Sequence, residues 1–303
     1  MTVKPKSTNK TPYFSIVIVV RNDRGILSSL EALNKYVAKK SDCEVIVVDA
    51  STNGALDDIA KQFSWVHWIP FVNTTGKRFT IPEQRNLGAE KARGEVIIFL
   101  DANCIPEKGW FETFEQAFLK ENHDVVSGPI RSVGENKVHD AGYEIFADNQ
   151  EITECGAANL GIRKSVLHEL HGFDENMSYG EDVDLTWRIR NAGYKIIFKK
   201  NAVIAHDWGE FREELRRAYR YGASRTSLYK KHPQQIKRVI GPDINVLIYP
   251  GFIVLLPVTI WFPYYPLLII VPLLKNFGKH AFSRTTLHLV YGAGVIKGIF
   301  KTV

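Results

Sequence analysis

Three short apolar runs limit the fold of this chain more than any other feature: SIVIVV at 15–20, EVIVV at 44–48 and EVIIFL at 95–100, each ending at polar side chains. They are rich in β-branched residues and do not alternate with polar ones, the pattern of strands buried on both faces. Amphipathic stretches lie between them. Ile26, Leu27, Leu30, Leu33 and Val37 share one helical face; Leu56, Ile59, Ala60 and Phe63 share another. Residues 66–71 read as a further strand, Pro82 opens a helix running to Ala92 and ended by Gly94, and Trp110, Phe111, Phe114 and Phe118 mark the helix after the third run. Strands alternating with helices predict an α/β fold with a mainly parallel sheet covered on both sides.

In such sheets ligands bind beyond the carboxyl ends of the strands. Those ends are Arg21-Asn22-Asp23, Asp49-Ala50-Ser51 and Asp101-Ala102-Asn103. No Gly-x-Gly-x-x-Gly follows the first strand and no Gly-Lys-Ser/Thr loop occurs, which excludes dinucleotide and P-loop sites. The second half is less regular. Strands are expected at 124–128, 159–162, 194–198 and 202–205, the last ending at His206, with helices at 165–170, 181–192 and 210–231.

The helix at 181–192 opens on Gly180-Glu181-Asp182, with Leu185, Ile189 and Ala192 on its apolar face. Acids at a helix N-terminus gain roughly 0.3–1 kcal/mol each from the unpaired N–H groups there. A carboxylate so placed can equally take a proton from an attacking hydroxyl if a pocket lies before it. Asp184 stands four residues before Arg188 and suits an ion pair with it.

The 303 residues, 45% hydrophobic and 24% charged, suffice for one large or two small domains. Cys43, Cys104 and Cys155 match no metal or redox spacing and read as reduced thiols of a cytosolic protein. Residues 1–12, polar with Lys4, Lys6 and Lys10, read as a disordered tail without signal-peptide character. The net charge of +6 is concentrated between Arg212 and Arg238, and the next 31 uncharged residues span 244–274. That exceeds the ~20 residues a bilayer span needs, so a membrane surface is favoured over nucleic acid as partner. Pro250, Pro257, Pro263, Pro266 and Pro272 argue against one straight helix. Lys275, Lys279, Arg284 and Lys297 make the second flank basic too, which places both flanks on the cytoplasmic face. The expectation is a peripheral or re-entrant segment bent near residues 263–266; the alternative is a soluble apolar subdomain or an oligomer contact.

Taken in order, these motifs resemble the family 2 glycosyltransferases of the GT-A fold. The matching pieces are residues 15–22, Val47-Val48-Asp49-Ala50-Ser51, Arg85-Asn86-Leu87-Gly88, the 94–103 strand and turn, Gly172-Phe173-Asp174-Glu175 and Gly180-Glu181-Asp182. The resemblance covers residues 13–235, divided into a nucleotide-binding half (13–130) and an acceptor and catalytic half (131–235). Residues 236–303 resemble the membrane-associated tail of many members.

The resemblance implies inverting transfer of a sugar from a nucleotide-sugar donor, expected to be a UDP-sugar, to a hydroxyl of a lipid-linked or surface glycan. Asp182 resembles the catalytic base, with Glu181 shaping the site. Asp49 resembles the base-recognising aspartate, beside Val19, Arg21 and Ser51; locally it can also be a turn aspartate. Arg85 resembles an arginine facing the diphosphate, or forms a surface salt bridge. Asp101 corresponds to the first acid of a D-x-D metal motif whose last position here is Asn103, an amide that ligates Mg²⁺ or Mn²⁺ without adding charge. His206 resembles a further metal ligand, or is a structural histidine. Arg220 loosely resembles a diphosphate-binding arginine of membrane-bound relatives, and fits an interfacial basic helix as well. Two rivals remain: a non-catalytic GT-A-like binding protein, and a nucleotidyltransferase, for which Arg21-Asn-Asp-Arg24-Gly25 is a poor version of the required loop.

Overall fold

A computed structural model describes residues 11–134, 146–275 and 280–300. The expected 1–12 tail falls almost wholly outside them. The described chain divides into two compact units, the first holding residues up to Val133 and from 146 to Asp207, the second Gly134 and the residues from Trp208 onward. The expected boundary near 235 thus differs from the division found, because the basic helix shares its small core with residues 287–291 near the end of the chain.

The first unit begins with β1 (Phe14–Val20), α1 (Ile26–Tyr36), β2 (Cys43–Asp49), α2 (Asp57–Gln62), β3 (His67–Pro70), α3 (Ile81–Lys91) and β4 (Val96–Asp101). It continues through β5 (Cys104–Pro106), α4 (Trp110–Glu115), β6 (Val125–Ser127), β7 (Ile130–Val133), β8 (Gln150–Ile152) and β9 (Asn159–Arg163). The last elements are α5 (Lys164–Glu169), α6 (Glu181–Asn191), β10 (Ile196–Phe198) and β11 (Ile204–Asp207). One sheet has the order β3-β2-β1-β4-β9-β6-β10-β8 and a small second sheet the order β5-β11-β7. In the large sheet only β9 and β8 run against the rest. The expected mainly parallel α/β sheet is present.

Alternate residues of β1 serve opposite faces. Phe14, Ile16, Ile18 and Val20 pack with α1, α2 and α4 residues such as Leu30, Ile59 and Trp110. Val17 and Val19 pack with Ala89 of α3, Phe173, and Leu185 and Ile189 of α6. Both faces are therefore core, which is why the strands contain no polar alternation. Helix α3 lies unusually close to β1. A Cβ at Gly88 would stand 2.3 Å from Val17 Cγ1 and 3.2 Å from Val48 Cγ2. Arg85, one turn earlier on the same side of α3, is thereby brought to the end of the sheet.

The second unit contains α7 (Phe211–Lys231), a 3₁₀ segment (Pro233–Ile240), α8 (Asn245–Val254), two further 3₁₀ turns (Leu256–Ile260, Tyr265–Ile269), α9 (Ile270–Lys275) and α10 (Ala281–Phe300). Ala218 of α7 and Leu287 of α10 form a small core with Phe211, Leu215, Val290 and Tyr291. Among the described residues no helix is long and apolar enough to cross a membrane. The 244–274 run is broken into short helices, with Pro257, Pro263 and Pro266 at or beside the breaks and Pro250 within α8.

The seating of α3 makes a prediction. Glycine to alanine in an exposed helix gains about 1 kcal/mol, yet Gly88→Ala should lose roughly 1–3 kcal/mol by overpacking against Val17. The urea midpoint reads this; an unchanged or raised midpoint would mean that α3 does not depend on that contact.

Candidate active site

Strand β1 lies between β2 and β4, so Val20 stands opposite Asp49 and Val19 opposite Asp101. The two acids thus flank β1 at one sheet edge. The turns beyond are cross-tied. Asn22 N–H donates to Ser51 Oγ (2.7 Å), Thr52 N–H to Asn22 Oδ1 (3.0 Å) and Ser51 N–H to Asp49 Oδ1 (2.8 Å). Arg21 donates through Nη1 to the Arg78 carbonyl (2.8 Å), in the segment between β3 and α3. Val19, Arg21, Asp49 and Ser51 therefore share one rim, and one oxygen of Asp49 serves its own turn.

Arg85 occupies the middle of the edge. Its Nη1 donates to Glu181 Oε1 (2.7 Å) and its Nη2 to Asp101 Oδ1 (2.8 Å), with the guanidinium 5.4 Å from the centre of the Phe173 ring. The Arg85 and Glu181 side chains are only 5% and 8% exposed, against 34% for Asp101. Arg85 forms ion pairs, but they are buried and not the surface salt bridge that was the alternative to a diphosphate role. Its neighbour Asn86 donates to the Phe173 carbonyl (2.9 Å) and accepts from Phe173 N–H (2.9 Å). The Arg85-Asn86 pair thus ties α3 to the segment leading into α6. Sequence reasoning did not find this clamp, although both segments stood out as motifs.

Gly180 enters α6 with φ +79°, a left-handed turn that favours glycine, and turns Glu181 and Asp182 back toward Arg85. Asp182 is half-buried, accepts from Val183 N–H (2.8 Å) and is hydrogen-bonded by the Ala157 backbone. A Cβ at Gly156 would stand 3.5 Å from Asp182 Oδ2, so the stretch before β9 backs this carboxyl. No sequence signal marked residues 156–157. Asp184 is buried and pairs with Arg188 Nε (2.8 Å), while the arginine also donates to the Leu170 and Gly172 carbonyls. The pair expected from the sequence is present, and it fixes the approach to the acid pair.

One guanidinium faces three carboxyl groups. Burial, then the negative charge of Asp182, push Glu181 up to about 7, with Arg85 pulling the other way. Burial also raises Asp182, again opposed by Arg85. The arginine is held charged despite its own burial by Asp101 and Glu181. Both acids therefore bind a proton more tightly than an exposed carboxyl does.

The remaining expected residues are divided between the two units. Cys104, in β5 after Asn103, pairs with His206 in β11, and Asn103 Nδ2 donates to the Asp207 carbonyl (3.2 Å). Asp101, Asn103 and His206 thus belong to adjoining stretches of chain. Among the described residues no three His, Cys, Asp or Glu side chains form a ready metal site. Asp101 keeps its second carboxylate oxygen and Asn103 its carbonyl, and the edge carries excess negative charge. That donor set fits a cation completed by substrate phosphates rather than a dedicated protein cage. Arg220 belongs to α7 in the second unit. All three cysteines are free.

The comparisons agree with this geometry. The model for glycosyl transferase family 2 matches residues 15–173, more than half of the chain, and that for glycosyl transferase family group 2 matches residues 96–297. The chain belongs to glycosyl transferase family 2. This family 2 glycosyltransferase is 27% identical over 254 residues to Glycosyltransferase AglE of Haloferax volcanii, covering 81% of this chain and 83% of that one. Its fold is similar to that of the mannosyltransferase PcManGT from Pyrobaculum calidifontis, solved with GDP-Man and Mn²⁺ (TM-score 0.66, 17% identity, 98% of this chain and 91% of that one). It is also similar to GalNAc-T7, solved with UDP, GalNAc and Mn²⁺ (TM-score 0.53, 16% identity, 66% and 45%). The fold is GT-A, and the chain is an enzyme of the glycosyltransferase class.

Arg85→Met would leave buried carboxyls without their counter-charge, a loss of roughly 3–5 kcal/mol for one broken buried pair. A carboxyl whose folded pKa is raised binds its proton more tightly when folded, so its contribution favours the fold at low pH and is lost as pH rises. The penalty should therefore be largest above the Glu181 value of about 7 and shrink at about pH 5, where Glu181 is protonated. Urea unfolding of wild type and variant at the two pH values measures it; a pH-independent loss would show that the charge of Arg85 is not what holds the acids.

Proposed function

We propose that this glycosyltransferase moves a sugar with inversion from a nucleoside diphosphate donor, UDP being the first candidate, to an acceptor hydroxyl, with Asp182 as general base. The observation that carries the reading is the placement of Asp182: half-buried at the first turn of α6, with raised proton affinity, beside a clamp at the edge where Asp49 and Asp101 end their strands. A helix N-terminus alone lowers carboxylate basicity. Burial overrides that here, as a base working near neutral pH requires.

In this reading the acceptor O–H gives its proton to Asp182 as its oxygen attacks the sugar C1. The bond from C1 to the diphosphate oxygen breaks, and its electron pair leaves with the nucleoside diphosphate. Glu181, held by Arg85, keeps a carboxyl beside Asp182 and so tunes its basicity. Asp49 accepts an N–H of the base, with Val19, Arg21 and Ser51 around it. Asp101, with Asn103 and His206 as further candidates, would hold a divalent cation, Mg²⁺ or Mn²⁺, which supplies positive charge for the departing diphosphate. The exposed apolar side chains of the second unit favour an acceptor presented at a lipid surface, such as a lipid-linked or surface glycan.

Asp182→Asn keeps size and hydrogen bonding but cannot take a proton. Transfer should fall roughly 10²–10⁴-fold while calorimetry shows donor binding nearly unchanged. The control, Asp184→Asn, should lower stability through its bond to Arg188. Near wild-type transfer by Asp182→Asn would remove it as the base.

The donor slot has its own test. Asp49→Ala should weaken UDP binding by roughly 1.5–3 kcal/mol, the size of one charge-assisted hydrogen bond, with the fold retained. Unchanged UDP affinity in the folded variant would place the base elsewhere.

A further inference from the structure

Nine arginines lie in the first unit, and seven of them are ion-paired with acids of the same unit. Arg21 and Arg78 are the exceptions. Both are exposed, and among the described residues neither guanidinium has a carboxylate partner. They are also neighbours, since Arg21 Nη1 donates to the Arg78 carbonyl (2.8 Å). An edge already short of positive charge thus keeps two cations in reserve at one place.

Topology says which place. Strand β2 lies between β1 and β3, and Phe71, just past β3, donates its N–H to the Asp49 carbonyl (2.7 Å). From there the chain returns to α3, which rests on β1 and β2 through Gly88. Residue 78 belongs to that return. An Arg21 side chain that reaches its carbonyl therefore runs from the end of β1 to the Asp49 side of the edge, away from β4 and Asp101. Asp49 accepts from Ser51 N–H through Oδ1, and its other oxygen has no partner among the described residues. Arg21 uses one of its five N–H groups. A group that only accepts and a group that only donates thus share one side of the edge, and neither satisfies the other.

That combination has a definite complement. A carboxylate with a guanidinium near it matches a ring N–H next to a ring carbonyl, the lactam edge of uracil and of guanine. Cytosine and adenine present the reverse, a bare ring nitrogen next to an amino group. Against these the carboxylate would face a lone pair and the guanidinium an N–H. A phosphate suits the place poorly, because the free oxygen of Asp49 would repel it.

We infer that Arg21 decides which nucleobase the donor carries: by donating to the carbonyl next to the N–H that Asp49 accepts, it selects lactam bases over cytosine and adenine. The Arg78 carbonyl aims it, while the Arg78 guanidinium, 5.3 Å from the centre of the Phe79 ring, takes no part. This rests on the reading of Asp49 as the base-recognising acid and adds the residue that sets its selectivity.

Calorimetry of the full chain with UDP, CDP, GDP and ADP, at one fixed Mg²⁺ concentration, tests it in two size-matched pairs. Whichever pair binds more tightly shows whether the slot takes a pyrimidine or a purine. Within that pair the lactam member should bind on the order of 100-fold more tightly, as a matched donor and acceptor give. Arg21→Met should cut this ratio about tenfold, one hydrogen bond to a charged group being lost, by weakening the lactam member alone. Arg78→Ala should keep the ratio. Thermal melts check that both exposed substitutions leave the fold in place. If none of the four binds, the donor reading falls and the inference with it. If the two members of the tighter pair bind alike, the slot holds a nucleotide but the inference is wrong. Equal loss of both members in Arg21→Met would put the guanidinium on the phosphates, and an unchanged ratio would take it away from the base; either result overturns the inference, as would a ratio that collapses in Arg78→Ala instead.

Discussion

Everything at the candidate site hangs on the two ion pairs of the buried Arg85 guanidinium. One nitrogen faces Asp101 at the end of β4 and the other Glu181 at the start of α6. A charge this deep is tolerated only because both partners are within hydrogen-bond distance. The bonds also join elements far apart in sequence, so the sheet edge and the acid pair move as one piece. With three carboxyls around one guanidinium, the site is short of positive charge as it stands. Burial, with the neighbouring carboxylates added to it, raises the proton affinity of the acid pair, and the shortage suits the edge to a cation.

Asn86 extends the same logic by one residue. Its amide bonds on both sides of Phe173, whose ring lies under the Arg85 guanidinium and edge-on to Phe99 of β4. Asp184 and Arg188 secure the other end of that segment at Leu170 and Gly172. The acid pair is thus approached by a connection held at several points, with Glu181 buried and Asp182 half-buried. The proposed base would gain from this, because its position must be fixed while its proton must be able to leave.

Much of the fold and site was legible in the sequence. The runs at 15–20, 44–48 and 95–100 are strands, their polar ends share one edge, and Gly180 does open the acidic helix, because each depends on local pattern. The expected second-half strands are present but short. What local pattern could not reveal was pairing at a distance: that Arg85 would reach both Asp101 and Glu181, or that residues 156–157 would back Asp182. The apolar 244–274 run was legible in composition and not in form, since its hydropathy suggests length while the chain there folds into short helices and turns. The partition of α7 was missed for a similar reason. A basic amphipathic helix looks the same whichever neighbour buries its apolar stripe.

The reversed strand β9 shapes the site in a different way. Because it runs against β4, with Asn159 opposite Leu100, the chain enters β9 at the very edge where β4 delivers Asp101. Loops after parallel strands and the loop before an antiparallel one therefore open onto the same side. The strand register is set by the core, but the stretch leading into β9 is bound by no such ladder. It is held instead at residues 156–157, which back Asp182, so the reversal of β9 brings a fixed piece of backbone against the acid pair.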